Sequence, residues 1–231
     1  MVRFHNDDRG SLPEYHHGND AGWDNASCFD LGFQAEAPDL AAYLALQMDV
    51  LAEVAQKLGK TREAKAWTAR ADRMMESMIK NLWDGKRFVV KRMEDNAVYD
   101  KSECLMSYLP LVLGKRLPKN ITDKMINDLK TNGHFTAVGL ASENPNSPLY
   151  NADSYWRGPV WAPPALIIAS GVYDCGDKKF AREIAKRYCD NCTKNGFAEN
   201  YDALTGKGLR DYSLTWSSSV FQILAHEYLH K

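Results

Sequence analysis

The residues best suited to acid–base chemistry are two carboxylates in glycine-containing segments, Asp24 and Glu199. Asp24 follows Trp23, and Glu199 lies near Tyr201 in segment 195–208, whose glycines favour turns. A carboxylate among rings is typical of a general base, because partial removal from water strengthens its hold on a proton. Hydrolysis of a glycosidic bond needs such a pair, one to protonate the leaving oxygen and one to activate water or attack. The alternatives are a solvated surface Glu199 and a turn or N-cap role for Asp24.

A second segment, 155–161, combines aromatic rings with a guanidinium. Tyr155, Trp156 and Trp161 surround Arg157 just before a predicted helix. Exposed rings serve as stacking platforms for sugars, and an arginine presents fixed donors to hydroxyls or orients a carboxylate. The alternative is that the rings belong to the core and that Arg157 makes a structural ion pair or a cation–π contact.

The composition is typical of a soluble globular protein and excludes several partners. Of 231 residues, 45% are apolar and 26% charged, with a net charge of −1. Such a balance gives no basic surplus for nucleic acid or an anionic membrane, and no apolar run is long enough to span a bilayer. Five cysteines predict free thiols in a reducing compartment, so we expect a cytoplasmic protein, with a lost N-terminal signal left open.

Metal and cofactor signatures are weak in this sequence. Cys189 and Cys192 have no partner pair, and His226 and His230 share a helix face without an acidic ligand set. The sequence also contains neither a phosphate-binding glycine loop nor a Gly-x-Ser-x-Gly motif. We therefore predict no metal and no cofactor, and leave calcium open.

Apolar periodicity predicts an all-α protein. Two long helices, 39–58 and 61–83, are separated by a turn at Gly59, with Pro38 at the first helical position. The predicted buried stripe of the first helix is Leu40, Tyr43, Leu44, Met48, Leu51, Val54, Ala55 and Leu58. Further helices are predicted at 102–113, 122–131 and 165–172, after Asp177, and at 215–228. About seven helices thus form hairpins, with short turns at one rim and long loops at the other. The segments that carry Asp24, residues 155–161 and Glu199 could converge at the rim with the long loops.

Three motifs in this order resemble glycoside hydrolase family 63 and its trehalase and glucosylglycerate or mannosylglycerate hydrolase relatives. They are Gly-Trp-Asp-Asn-Ala-Ser at 22–27, Tyr-Trp-Arg-Gly-Pro-Val-Trp at 155–161, and Glu-Asn-Tyr-Asp at 199–202 followed by Thr205-Gly206. Leu-Thr-Trp-Ser at 214–217 fits the pattern that follows the base. The resemblance extends from about Gly18 to the C-terminus.

This resemblance implies an (α/α)6 barrel and inverting hydrolysis of an α-glucoside or related α-linked sugar. Asp24 matches the general acid and Glu199 the general base, with carboxyl groups roughly 6.5–9.5 Å apart in an inverting enzyme. The residues assigned to the sugar site are Trp23, Tyr155, Trp156, Arg157, Trp161, Tyr201 and Trp216. The expected partner is an oligosaccharide or small glycoside.

The helix count departs from the family pattern, because the family barrel has twelve helices. We therefore expect residues 1–231 to form a single helical domain, the C-terminal part of a glycosidase catalytic domain. The missing half would leave an apolar wall that favours self-association or a partner. One alternative is a vestigial carbohydrate-binding relative without turnover. Another is a helical-toroid epimerase or lyase, which would call for His or Tyr acid–base pairs that the sequence does not show.

Overall fold

Helices in hairpins account for most of the fold. The computed structural model describes residues 12–32 and 34–230. The α-helices are α1 (Gly18–Ala21), α2 (Pro38–Lys57), α3 (Thr61–Leu82), α4 (Lys119–Thr131), α5 (Ala162–Asp174), α6 (Lys178–Asn195) and α7 (Thr215–Leu224). Two 3₁₀ segments, Ser27–Phe29 and Leu105–Arg116, and a terminal π turn, Ala225–Leu229, complete the helical elements. The predicted all-α class is confirmed.

The helix boundaries follow local chemistry. Pro38 occupies the first turn of α2, and Gly59 ends the helix in the left-handed region at φ 73°. The amide of Lys60 then donates to the Ala55 carbonyl at 2.9 Å, which reverses the chain into α3. Thr61 is the first residue of α3, and Lys60 is its N-cap. Prolines in the first turn also let α5 begin earlier than predicted.

The buried face of α2 differs from the prediction. Small residues, Ala41, Ala42 and Ala45, face the protein with no exposed surface, because they let α3 and the segment Leu105–Arg116 approach closely. The opposite side of the helix carries an exposed apolar row, with exposed fractions from 36% to 68%: Leu46, Val50, Leu51, Val54 and Leu58. Of the predicted stripe, Leu51, Val54 and Leu58 therefore point away from the described core, whereas Ala55 is buried and Leu40 packs against the core.

The helices form an open row. Segment Leu105–Arg116 packs between α2 and α5, and α7 packs on α5, while α3, α4 and α6 back α2, Leu105–Arg116 and α5 respectively. The approach of α5 is close, since a Cβ at Gly171 would lie 2.1 Å from the Leu111 carbonyl oxygen. In the part of the chain that the structure describes, no extensive contact joins α7 back to α2. No described helix is long and apolar enough to cross a membrane.

Two small antiparallel sheets replace parts of the predicted loops. One joins β1 (Glu14–Tyr15), β2 (Ala35–Glu36) and β3 (Lys91–Arg92), and the other joins β4 (Val160–Trp161), β5 (Asn200–Tyr201) and β6 (Gly208–Leu209). Residues 1–38, which show no sustained apolar period and therefore indicate a loop, and segment 195–208 thus contain strands too short to show an alternating pattern. Residues 1–11 of the first loop lie outside the described residues.

Candidate active site

The loop that carries Asp24 is a tight turn between α1 and the segment Ser27–Phe29, and we call residues 22–27 the acid loop. Gly22 takes φ 69°, and the Trp23 amide donates to the Gly18 carbonyl at 3.2 Å. A Cβ at Gly18 would lie 2.3 Å from the Asp24 carbonyl oxygen, so this approach requires glycine. Asp24 lies in the turn that the Ala26 amide closes on the Trp23 carbonyl at 2.7 Å, as the turn alternative predicted. Its half-buried carboxyl receives no hydrogen bond from the described residues and caps no helix.

Strand pairing positions Glu199. Trp161 of β4 pairs with Asn200 of β5, so Glu199 lies one residue beyond the paired strand. The Glu199 amide donates to the Asp211 carbonyl at 2.7 Å, which extends the hairpin of β5 and β6. The carboxylate is half-buried, and its Oε1 accepts a hydrogen bond from the Tyr155 hydroxyl at 3.1 Å.

Tyr155 is influenced by both carboxylates. Burial raises the pKa of its phenol, and the hydrogen bond with Glu199 and the charges of Glu199 and Asp24 raise it further. Both carboxylates therefore lie within electrostatic reach of one hydroxyl. Tyr155 also holds a left-handed backbone at φ 54°, which costs a non-glycine residue about 1 kcal/mol or more and is found preferentially at functional sites.

A continuous stack of tryptophans connects the acid loop to the Glu199 hairpin. The rings of Trp23 and Trp156 lie 4.4 Å apart, and Trp156 stacks on Trp161 at 4.1 Å with nearly parallel planes. Trp161 meets Trp216 edge to face at 5.5 Å. The first three rings are buried, while Trp216 keeps 36% of its surface exposed. The tryptophans thus join the acid loop to the Glu199 hairpin, where Trp216 Nε1 donates to the Glu199 carbonyl at 3.4 Å.

Two of the predicted sugar contacts are fully enclosed. Trp161 and Tyr201 have no exposed surface, and the Tyr201 hydroxyl donates to the Gly196 carbonyl at 2.6 Å. The structure thus places both rings beneath the site, and their direct contact with a sugar stays a prediction that this arrangement does not favour. Tyr155 and Trp216, which remain partly accessible, are better placed for contact.

Arg157 clamps the acid loop. Its Nε donates to the Asn25 carbonyl at 2.8 Å, and its terminal nitrogens bind the Asp30 carboxylate. That hydrogen-bonded carboxylate is the main cause of the raised pKa of Arg157. Arg157 therefore makes a structural ion pair with Asp30, which was the alternative to a sugar contact. A sugar contact by Arg157 stays a prediction.

Sequence reasoning missed the residues that fasten the acid loop from distant segments. Asn25 accepts from the Trp156 amide at 2.9 Å and donates to the Ser154 carbonyl at 3.1 Å. Ser27 donates to the buried carboxylate of Glu143 at 2.6 Å. Asn25 and Ser27 belong to the motif at residues 22–27, and this membership is the signal in the sequence that could have identified them. Nothing in the sequence near Glu143 indicates its partners.

In the described ranges, no group of three or more His, Cys, Asp or Glu residues is arranged to hold a metal ion. All five cysteines are free thiols. Cys189 and Cys192 are buried on the inner face of α6, where Cys192 contacts the Tyr201 hydroxyl at 3.3 Å. The C-x-x-C pair is thus accounted for by one helix face.

The candidate site thus lies in a domain of helical hairpins, and its tryptophans join the acid loop to the Glu199 hairpin. A family model, the mannosylglycerate hydrolase MGH1-like glycoside hydrolase domain, matches residues 3–217. The chain belongs to this family, which confirms the recognition made from the three motifs.

Individual relatives agree with this assignment. The probable mannosyl-oligosaccharide glucosidase of Schizosaccharomyces pombe is 29% identical over 82% of this chain and 26% of that protein. The mannosylglycerate hydrolase of Thermus thermophilus is 35% identical over 35% of this chain and 20% of that protein.

A solved structure confirms the (α/α)6-barrel type of fold. The GH63 mannosylglycerate hydrolase from Thermus thermophilus in complex with glucose matches with a TM-score of 0.81 at 21% identity. The match covers 91% of this chain and 62% of that one. The chain thus spans less than two thirds of the relatives that it matches.

Proposed function

We propose that this protein hydrolyses an α-glucoside or related α-linked sugar with inversion, with Asp24 as general acid and Glu199 as general base. The observation that carries the proposal is the Tyr155 hydroxyl, which binds the Glu199 carboxylate and lies within electrostatic reach of Asp24. One carboxylate bonded to the Tyr155 hydroxyl and a second one near enough to influence it suit a sugar ring held between an acid and a base.

The proposed reaction uses both carboxyl groups in one step. Protonated Asp24 gives its proton to the glycosidic oxygen as the bond from that oxygen to the anomeric carbon breaks. Glu199 takes a proton from the water that attacks the opposite face of the anomeric carbon. Because Tyr155 occupies Oε1, the other oxygen of Glu199 is free of partners among the described residues and can face the water. Proton exchange with solvent then restores both groups.

The names of the relatives support a class of substrate rather than one particular sugar. Their names describe a mannosylglycerate hydrolase and a probable mannosyl-oligosaccharide glucosidase. We propose an oligosaccharide or small glycoside as the substrate, and therefore include both glucosides and mannosides in the test below.

The test is sugar release from a panel of α-linked glucosides and mannosides, with proton NMR to identify the first anomer. Glu199→Gln should lower kcat by about 10²- to 10⁴-fold, the usual contribution of a general base. Glu183→Gln is the matched control, because Glu183 is a half-buried carboxylate, like Glu199, and pairs with Arg187 on α6. We expect the β-anomer first. No release by well-folded protein across the panel would favour the vestigial carbohydrate-binding alternative.

We further propose that residues 1–231 form a single helical domain, the C-terminal part of the catalytic domain, and that additional helices of the same toroid cover α2. The support is the exposed apolar row on α2, together with the partial coverage of the solved relative. Without that cover, we expect the chain to self-associate. Five free thiols also support a cytoplasmic location.

Sedimentation over a range of concentrations tests the role of this row. Val50→Asp should shift the chain toward the monomer, because a charge in a buried apolar contact is unfavourable. Leu204→Asp is the control, since Leu204 is similarly exposed (59%, against 52% for Val50) but lies in the Glu199 hairpin. An unchanged association of Val50→Asp would show that the α2 row is not the contact.

A further inference from the structure

We infer that Glu143 and Ser27 are positioning residues that fix the acid loop through a hydrogen bond between buried side chains. The catalytic consequence rests on the proposed function, because it takes Asp24 to be the general acid. Ser27 closes the acid loop three residues after Asp24, and Glu143 belongs to a segment more than a hundred residues away. The link joins two parts of the chain that no helix or sheet connects directly.

Glu143 is a fully buried carboxylate with three hydrogen-bond donors. Ser27 Oγ donates to Oε2 at 2.6 Å, while Ser147 Oγ and the Glu103 amide donate to Oε1 at 2.6 and 3.0 Å. Removing a carboxylate from water is costly unless such donors replace its hydration. Bonds to a charged acceptor are short and stronger than bonds between neutral groups. The carboxylate is therefore a strong, fixed anchor.

Ser27 is equally enclosed. Its Oγ lies 2.6 Å from Ser102 Oγ, and its single hydroxyl proton is engaged by Glu143, so Ser102 donates to Ser27. Ser27 has no exposed surface and begins the 3₁₀ segment that follows the acid loop. The chain from Ser102 through Ser27 to Glu143 fixes the hydroxyl direction as well as its position.

The backbone around Glu143 is a rigid support. The Leu105 amide donates to the Ser142 carbonyl at 2.8 Å, and the Asn144 amide donates to the Glu103 carbonyl at 3.1 Å. On the other side, the Gly158 amide donates to Ser142 Oγ at 3.0 Å. Glu143 is thus fixed both to the start of the segment Leu105–Arg116 and to the segment that carries the tryptophans.

A loosened acid loop should impair proton donation more than water activation. A general acid must reach the leaving oxygen within hydrogen-bond distance, and a displacement of about 1 Å can cost about 10²-fold in rate. Glu199 is held separately, by the pairing of β4 and β5. A substrate whose leaving group departs without protonation, such as a glycosyl fluoride, should therefore be insensitive to the acid loop.

The first experiment compares Ser27→Ala with Ser147→Ala on two substrates, an alkyl α-glucoside and α-glucosyl fluoride. Each variant removes one 2.6 Å hydroxyl bond to Glu143, but only Ser27 belongs to the acid loop. Ser27→Ala should lower kcat for the alkyl glucoside by about 10- to 100-fold and change fluoride hydrolysis less than about threefold. Equal losses on both substrates, or an identical pattern in Ser147→Ala, would overturn the inference.

Amide hydrogen exchange tests the positioning without any turnover. Glu143→Ala and Ser27→Ala should accelerate exchange at residues 23–29 and leave 197–201 unchanged. Glu143→Gln should restore protection, because its oxygen still accepts from Ser147 and the Glu103 amide while its amide group donates to Ser27. Unchanged exchange at 23–29 in Ser27→Ala refutes the inference whatever the activity. Absent wild-type hydrolysis with accelerated exchange would instead count against the proposed function alone.

Discussion

The two carboxylates are held in place by different means. Strand register sets the position of Glu199, because β4 and β5 pair through their backbones and the Glu199 amide continues the hairpin of β5 and β6. Asp24 lies in a loop with no strand partner, which is fastened by the side chains of Asn25, Ser27 and Arg157. The position of Glu199, the proposed base, thus depends on the backbone, and the position of Asp24, the proposed acid, depends on a few side chains.

The difference predicts where single substitutions matter. Backbone pairing survives most side-chain changes, whereas a loop fastened by three side chains loses a large share of its support with each one. We therefore expect the acid side to be sensitive and the base side to be robust. The following predictions test that contrast in order of expected effect.

The largest effect is expected on stability below neutral pH. His134 is buried, its Nδ1 bonds the Ala141 carbonyl beside the Glu143 segment, and burial lowers its pKa to about 4. Because the folded state binds this proton less readily than the unfolded state, the contribution of His134 to stability is complete above about pH 6.5 and falls toward pH 4, by about 3 kcal/mol. Burial raises the pKa of Asp39 to about 6, so that carboxyl changes stability in the opposite direction over the same range. Denaturant titrations of the wild type and of a variant without His134, at several pH values, isolate the histidine contribution.

A variant separates His134 from the other titrating groups. His134→Gln keeps a donor for the Ala141 carbonyl and does not titrate, so the free energy of unfolding of the wild type relative to this variant should fall by about 3 kcal/mol between pH 6.5 and 4. His226→Gln, at an exposed position, is the control for removal of a histidine. A difference between wild type and His134→Gln that does not change with pH would contradict this prediction.

The next effect concerns the arginine clamp. Arg157→Lys keeps the positive charge, but an ammonium group cannot reproduce the planar guanidinium that binds both the Asn25 carbonyl and the Asp30 carboxylate. The acid loop should therefore be held less firmly, and kcat should fall by about 10²-fold. Arg187→Lys is the matched control, because Arg187 also binds a backbone carbonyl, of Thr136, and a carboxylate, of Glu183. Steady-state kinetics on an alkyl glycoside measure both, and similar losses in the two variants would contradict a specific role for the acid loop.

The smallest effect is expected on the base side. Asp211→Ala removes an exposed side chain, while the Asp211 carbonyl that accepts from the Glu199 amide at 2.7 Å and the strand pairing stay intact. We predict a change in kcat of less than about threefold, since backbone pairing survives the loss of a side chain. A loss comparable to that of Arg157→Lys would break the contrast between the two sides.

Helix positions were predictable because capping and stop residues mark them locally. Pro38, Gly59 and Asp177 each lie where the sequence predicts, with Asp177 accepting from the Phe180 amide at 3.1 Å. The buried face of α2 was not predictable, because both sides of the helix are apolar. Periodicity cannot tell which side faces a neighbour, and the alanine side was the one that allowed close packing.

The candidate residues of the site were predictable from motifs, but their support was not. Asp24, Tyr155 and Glu199 stand in motifs that identify them. Their fastening depends on contacts across more than a hundred residues, such as Ser27 with Glu143. No local pattern encodes such a contact, because a buried glutamate and an exposed one look the same in a sequence.

The most direct test of the account is a crystal structure of the Glu199→Gln variant with an intact α-glucoside bound. The account predicts the Asp24 carboxyl within hydrogen-bond distance of the glycosidic oxygen. It also predicts residue 199 on the opposite face of the sugar, with carboxyl and amide carbons roughly 6.5–9.5 Å apart and a water between. A sugar bound elsewhere, or Asp24 out of reach of the glycosidic oxygen, would contradict the assignment of both carboxylates.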